Sequence, residues 1–377
     1  MKVEKWFNGH HSPLIFMVDD LANIYFSKKS NHIYNNGDWG GEVFESGSLY
    51  HYLNNEILSE FPDLKITFFL VTGERTIQSY GSYDFSRACC YGEFPNLLET
   101  LVKDGHEIAY HGLNHGKLVG EKFIQEWSSY HSISEANKSI REGLSFLNKS
   151  LPESKVKGGK YCGYEAGEYG HASILANGFE WWFDRWDEDP KARCDGEIVD
   201  GIVYLPSNID CSQYSFKLVN YFRKKKYYRS IIRQLTEGTV ESKINTVISK
   251  RGILSFQEHS SPIRTDGKRQ YPNVFDDKKS IIYLLNLVKN FDIWYATASE
   301  VCDYIRLRSS VKISRTRNKF EFLSDQNYLN GSITLFEYKE FKYVKVKDEK
   351  YFSYEKNGKF HINLPVYLNT IYEVIYG

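Results

Sequence analysis

The feature that most limits the fold is a change of rhythm along the chain. Up to about residue 308, short apolar runs alternate with stretches whose apolar residues recur every three or four positions. Leu14-Ile15-Phe16-Met17-Val18, Lys65 to Val71, His106 to Tyr110, Phe179 to Phe183, Gly201 to Leu205, Gly252 to Phe256 and Asp292 to Tyr295 read as strands. Between them the spacing predicts helices. One carries Leu49, Leu53, Ile57 and Phe61 on one face, and another opens at Pro95 and closes at Gly105. Ser132-x-x-Glu135 is a capping box that starts a third, with Ile133, Ala136, Ile140, Leu144 and Leu147 on its apolar side. Further helices are expected from Ala172 to Gly178, from Asp276 to Lys289 and from Thr297 to about Arg308. Strands alternating with helices predict an α/β domain over residues 1–308 with a mostly parallel sheet, open or closed. From Ser309 the period drops to two, as in Phe320-Glu321-Phe322 and Tyr343-Val344-Lys345-Val346, and Asn357-Gly358 marks a tight hairpin. Residues 309–377 are expected to form a small antiparallel β module.

A chain of 377 residues can bury a substantial core, and 41% apolar with 25% charged residues is ordinary for a globular protein. The formal net charge is zero, which gives no reason to expect a nucleic-acid partner. No apolar run approaches membrane-spanning length, and Met1 to Trp6 lead into polar residues instead of an apolar signal segment. Six scattered cysteines without a C-x-x-C pair read as free thiols, so the expected location is the cytoplasm. Aromatic content is high, at 16%. Such rings line carbohydrate sites, but they also fill β-rich cores.

The candidate chemical residues share one address. Asp19 and Asp20 end the first strand, and His111 and His115 follow the strand His106–Tyr110. Asp184 follows Phe179–Phe183, and His259 follows Gly252–Phe256. Active sites of barrel-like α/β folds collect at these strand ends. A carboxylate with two imidazoles makes a facial metal-ligand set with open positions, and leaves a second carboxylate free as a base. Taken singly, an Asp-Asp pair suits a turn and His-x-x-x-His suits a solvated helix face. The shared placement is what favours chemistry.

At these residues the chain resembles the polysaccharide deacetylase family. Met17-Val18-Asp19-Asp20 stands where the family has Thr-Phe-Asp-Asp. Ile66 to Gly73 looks like its second strand, His106-Glu107-Ile108 leading to His111-x-x-x-His115 looks like its metal motif, and Phe256-Gln257-Glu258-His259 looks like its late strand. The likeness runs over roughly residues 10–308. Gly112 replaces the usual Ser or Thr, Lys160 to Tyr164 replace the Arg-Pro motif, and Phe183-Asp184-Arg185-Trp186 keeps the acidic-Trp motif only loosely. Asp38-Trp39-Gly40 and the segment 190–250 fit a divergent branch tied to surface-polysaccharide biosynthesis.

The resemblance implies a distorted (β/α) barrel and a metal-dependent hydrolase that removes acetyl from an N-acetylated sugar. It implies that Asp20, His111 and His115 hold one divalent ion, Zn²⁺ before others, which lowers the pKa of bound water to about 7. Asp19 is then the general base and His259 the general acid. Asp184 is expected to orient His259, and Lys160 to do for Asp19 what the family's arginine does. Trp39, Tyr164 and Glu258 are expected to meet substrate. The basic run Arg223-Lys224-Lys225-Lys226, with Arg229 and Arg233, is either a solvated helix face or a contact for the phosphate of a nucleotide- or lipid-linked sugar. Two rivals stay open: the same fold cleaving another acyl bond, such as an O-acetyl ester, and a catalytically silent glycan binder.

Overall fold

The computed structural model describes residues 1–22, 24–26, 49–73, 88–90, 96–120, 122–189, 193–214, 240–260, 273–325 and 331–377. Trp39, Pro95 and the basic run from Arg223 to Arg233 lie outside these residues. The chain divides into two units. One contains Leu14–Asn290 with Tyr295–Ser299, and the other contains Met1–Pro13, Phe291–Trp294 and Glu300–Gly377.

The first unit is built on β1 (Ser12–Ala22), β2 (Ile66–Val71), β3 (Glu107–Tyr110), β4 (Gly158–Lys160), β5 (Trp181–Phe183), β6 (Ile202–Tyr204), β7 (Ile209–Asp210) and β8 (Leu254–His259). They lie side by side in the order β6-β5-β4-β3-β2-β1-β8-β7, all parallel, with Glu197–Val199 added antiparallel outside β6. The sheet curls into a distorted half-barrel, and the run 202–210 supplies a strand near each of its ends. The start of that run pairs Val203 with Trp181, and its end pairs Ile209 with Phe256. Pro206 offers no N–H for a ladder bond across the bend. Side chains substitute there: Asn208 Nδ2 donates to Ile253 O at 2.8 Å, and Ser255 N donates to Asn208 Oδ1 at 3.0 Å.

The sequence accounts for these strands by burial. All six residues of β2 are buried, which suits a parallel strand covered on both faces and explains an apolar run interrupted only by Thr67. Among the described residues the helices include α1 (Leu49–Leu53), α2 (Asn96–Lys103), α3 (Ile133–Ser150), α4 (Gly170–Ala176), α5 (Lys278–Lys289) and α6 (Ala298–Ser310). The capping box forms, with Ser132 Oγ accepting from Glu135 N at 3.1 Å, and α3 buries Ala136, Ile140 and Leu147 as its spacing predicts, while Ile133, expected on that face, is 37% exposed in the first turn.

The second unit contains two antiparallel sheets. Ser332–Glu337 and Lys359–Pro365 lie at the centre of one, and Lys319–Leu323 and Ile371–Ile375 lie within the other. Alternation places Phe320, Phe322, Tyr372 and Val374 inside, each at most 2% exposed. The Asn357-Gly358 hairpin is present, with both residues at positive φ (53° and 69°) between Lys356 and Lys359.

Candidate active site

Asp19 and Asp20 sit inside β1 instead of at its end. The strand runs on to Ala22 because Leu21 and Ala22 still pair with Leu70 and Val71. Between Val18 and Leu21 the register shifts, and Asp20 adopts φ +61°. Adjacent residues of a regular strand point to opposite faces; this bulge aims both carboxylates into one site. Both are buried, at 2% and 3% exposure.

Asp20 Oδ1 lies 3.1 Å from His115 Nε2 and 3.5 Å from His111 Nε2. Burial pushes the Asp20 carboxyl up, but His115 and His111 hold it well below the usual carboxylate range. Burial also pushes the His115 imidazole down, and Asp20 more than reverses that, so it rises. His111 Nδ1 lies 3.0 Å from Lys160 O, a bond that makes Nδ1 the donor and turns Nε2 toward Asp20. This donor set fits a divalent ion. Two donors bound to one ion at about 2.0–2.2 Å stand roughly 3–3.5 Å apart, as these do. Cys162 is close by, with its sulfur and one nitrogen of each histidine all within 4.8 Å. Its Sγ donates to His111 O at 3.1 Å, and burial pushes the thiol well up.

Asp19 faces a different set of partners. Lys160 Nζ, only 1% exposed, sits 2.5 Å from Asp19 Oδ2, and Gln257 Nε2 donates to the same oxygen at 3.3 Å. Asp19 Oδ1 has no hydrogen-bond partner among the described residues. Lys160 also lies 4.5 Å from the Tyr164 ring centroid, and the Tyr164 hydroxyl donates to Gln257 Oε1. His259 Nε2 stands 3.9 Å from Asp19 Oδ2, and its side chain is 18% exposed, as is that of His115. This exposed side is where a substrate could reach the carboxylates.

The structure therefore gathers Asp19, Asp20, His111, His115, Lys160, Tyr164 and His259. It does not bring Glu258 to them. On β8 the alternation puts Gln257 and His259 on the face of Asp19 and Glu258 on the other, where it is 0% exposed. Burial, with Asp277 and Asp210 nearby, raises its carboxyl well above the ordinary range. A residue so placed has no access to substrate. Asp184 is not brought to His259 either. Its Oδ1 takes Arg193 Nη1 at 2.7 Å, and Arg193 also holds Asp187 at 2.9 Å. His259 Nδ1 has no hydrogen-bond partner among the described residues. Sequence reasoning passed over Gln257, although its period-two spacing from His259 places it in the site.

The polysaccharide deacetylase family profile matches residues 56–146. No curated protein matches the chain. Among solved structures, a candidate polysaccharide deacetylase from Mycobacterium smegmatis is 16% identical, with 84% of this chain and 98% of that one covered and a TM-score of 0.45. A peptidoglycan deacetylase from Bacillus subtilis is 11% identical, covering 79% and 93%, with a TM-score of 0.37. An acetyl xylan esterase from Clostridium thermocellum is 12% identical, covering 76% and 89%, with a TM-score of 0.34. The matched stretch carries β2 and both site histidines, so over residues 56–146 the chain is similar to the polysaccharide deacetylases, in line with the resemblance read from the sequence.

Proposed function

We propose that the chain is a metal-dependent hydrolase that removes acetyl from an N-acetylated amino sugar in a polysaccharide or its precursor. The observation that carries this reading is the division of labour between two adjacent carboxylates. Asp20 is turned to His111 and His115, while Asp19, its neighbour, is turned to Lys160 and His259.

Asp20, His111 and His115 would hold the divalent ion, Zn²⁺ before others. Such an ion supplies Lewis-acid polarisation of the acyl carbonyl and makes water acidic enough to react at neutral pH. Asp19 accepts the proton of the attacking water. Lys160 and Gln257 occupy its Oδ2, so Oδ1 is the oxygen left to take that proton. His259, across the open side of the site, donates a proton to the departing amine as the C–N bond breaks. Tyr164, stacked over Lys160, fixes the ammonium against Asp19 and borders the space for the sugar.

Acetate release tests this reading. The chain, supplied with Zn²⁺, is given N-acetylglucosamine oligomers, a nucleotide-linked N-acetyl sugar and an O-acetylated xylan. Release from the amides supports the proposal. Release from the ester alone transfers the reading to an esterase. Stoichiometric metal with no release from any of them leaves a silent binder.

A further inference from the structure

The loop between the two site histidines is held from both sides. Its carbonyls are taken by the end of β2: Thr72 N donates to Gly112 O at 3.0 Å, and Gly73 N donates to Leu113 O at 2.7 Å. Its N–H groups are taken by one carboxylate. Leu113 N donates to Glu126 Oε1 at 3.0 Å, and Asn114 N donates to Glu126 Oε2 at 2.7 Å. Glu126 is 3% exposed and is fixed in its turn. Its own N–H donates to His115 O at 3.0 Å, and Tyr130 Oη and Ser139 Oγ donate to Oε1 at 2.5 and 3.1 Å. Gly112 is the matching half of this arrangement. It adopts φ +88°, and a Cβ there would lie 2.5 Å from Glu126 Oε2 and 3.1 Å from Cys162 Sγ.

We infer that Glu126 is a positioning residue for the His111/His115 pair, made possible by glycine at position 112. Leu113 and Asn114 are two of the three residues that separate the histidines. A bidentate carboxylate on their N–H groups sets the relative placement of the two imidazoles, which stand 5.1 Å apart between ring centroids. Charged acceptors make short, strong bonds to backbone N–H, and partners behind metal ligands tune how well those ligands bind. The inference rests on the reading that His111 and His115 hold a metal.

Co²⁺ titration of the chain, followed by its visible absorption, tests it. Glu126→Ala is expected to weaken Co²⁺ binding by about 10–100-fold and to change the band pattern. Glu126→Gln retains one acceptor for two N–H groups and should fall between. A purely structural role would lower the melting temperature and leave affinity and spectrum alone at temperatures well below the melt. Affinity within twofold of the parent in both variants overturns the inference. If the parent itself binds no Co²⁺, the metal reading falls instead, and amide exchange then decides. Leu113 and Asn114 amides should exchange faster in both variants than in the parent, and equal rates overturn the inference on that ground.

Discussion

Replacing Lys160 with methionine isolates the ion pair on which Asp19 depends. The side chains are 1% and 3% exposed and the charged atoms stand 2.5 Å apart, so both charges are withdrawn from water. At an effective dielectric of about 20, two unit charges at that separation attract by roughly 6–7 kcal/mol, and desolvation offsets much of this. Removing one partner strands the other, which typically costs about 3–5 kcal/mol. Gln257 still donates to Asp19 Oδ2 at 3.3 Å, so the lower end, about 3 kcal/mol, is expected. The double variant Asp19→Asn/Lys160→Met buries no charge from this pair and should cost less than about 1.5 kcal/mol, which makes the two changes strongly non-additive. Urea denaturation of the parent, both single variants and the double variant, with chelator present so that metal linkage does not contribute, measures all four corners. Additive effects, or a Lys160→Met cost below about 1 kcal/mol, would refute the claim that the pair acts as one buried unit.

His259→Ala should retain metal and lose about 10²–10⁴-fold in turnover, whereas His115→Ala should lose metal as well; equal metal loss in both would reverse the assignment of His259. Asp19→Asn keeps the side-chain shape, so it should bind metal and fold, less stably because Lys160 is stranded, and be nearly inactive; an active variant would show that another group takes the proton. Burial lowers the His106 imidazole to about 4, so it stays neutral in the folded chain, while the unfolded chain takes up that proton near pH 6.5. Stability should therefore fall as pH drops from about 6.5 to about 4 and level off below, and an NMR titration of His106 with an ordinary midpoint would contradict this. A chain ending at residue 308 is expected to melt cooperatively, with its first residues frayed because Lys2 and Val3 lose their partners Phe336 and Leu335; a non-cooperative melt would show that the tail completes the main core.

Most barrel strands were legible because buried parallel strands are written as apolar runs. β4 was not: Gly158 and Gly159 carry no β signal. They are needed because the strand runs against large rings, and a Cβ on Gly158 would lie 2.1 Å from Trp181 Cδ2. β7 has two residues, too few for any period to register. The carboxylates and histidines were legible by type and by position after strands, but the bulge at Asp19–Asp20 was not, since nothing in Val18-Asp19-Asp20-Leu21 announces a register shift. Glu126 left no signal at all. It lies eleven residues past His115, at an irregular turn, and its role exists only in three dimensions. Asp184 is the converse case: the resemblance implies that it orients His259, but its carboxylate is taken by Arg193.

Three non-glycine residues of the site, Asp20, His115 and Tyr164, hold φ of +61°, +59° and +58°. Each such conformation costs on the order of 1–3 kcal/mol. The most stable sequence for this barrel is therefore not the one that carries the site. Selection for thermal tolerance alone would favour glycine at these three positions, and a straight strand in place of the bulge. Asp20→Gly would shed both a strained backbone and a buried charge while discarding the residue that meets both histidines. A stabilised library of this chain should be counter-screened for metal retention, because its most heat-resistant members are expected to be enriched in those that no longer bind it.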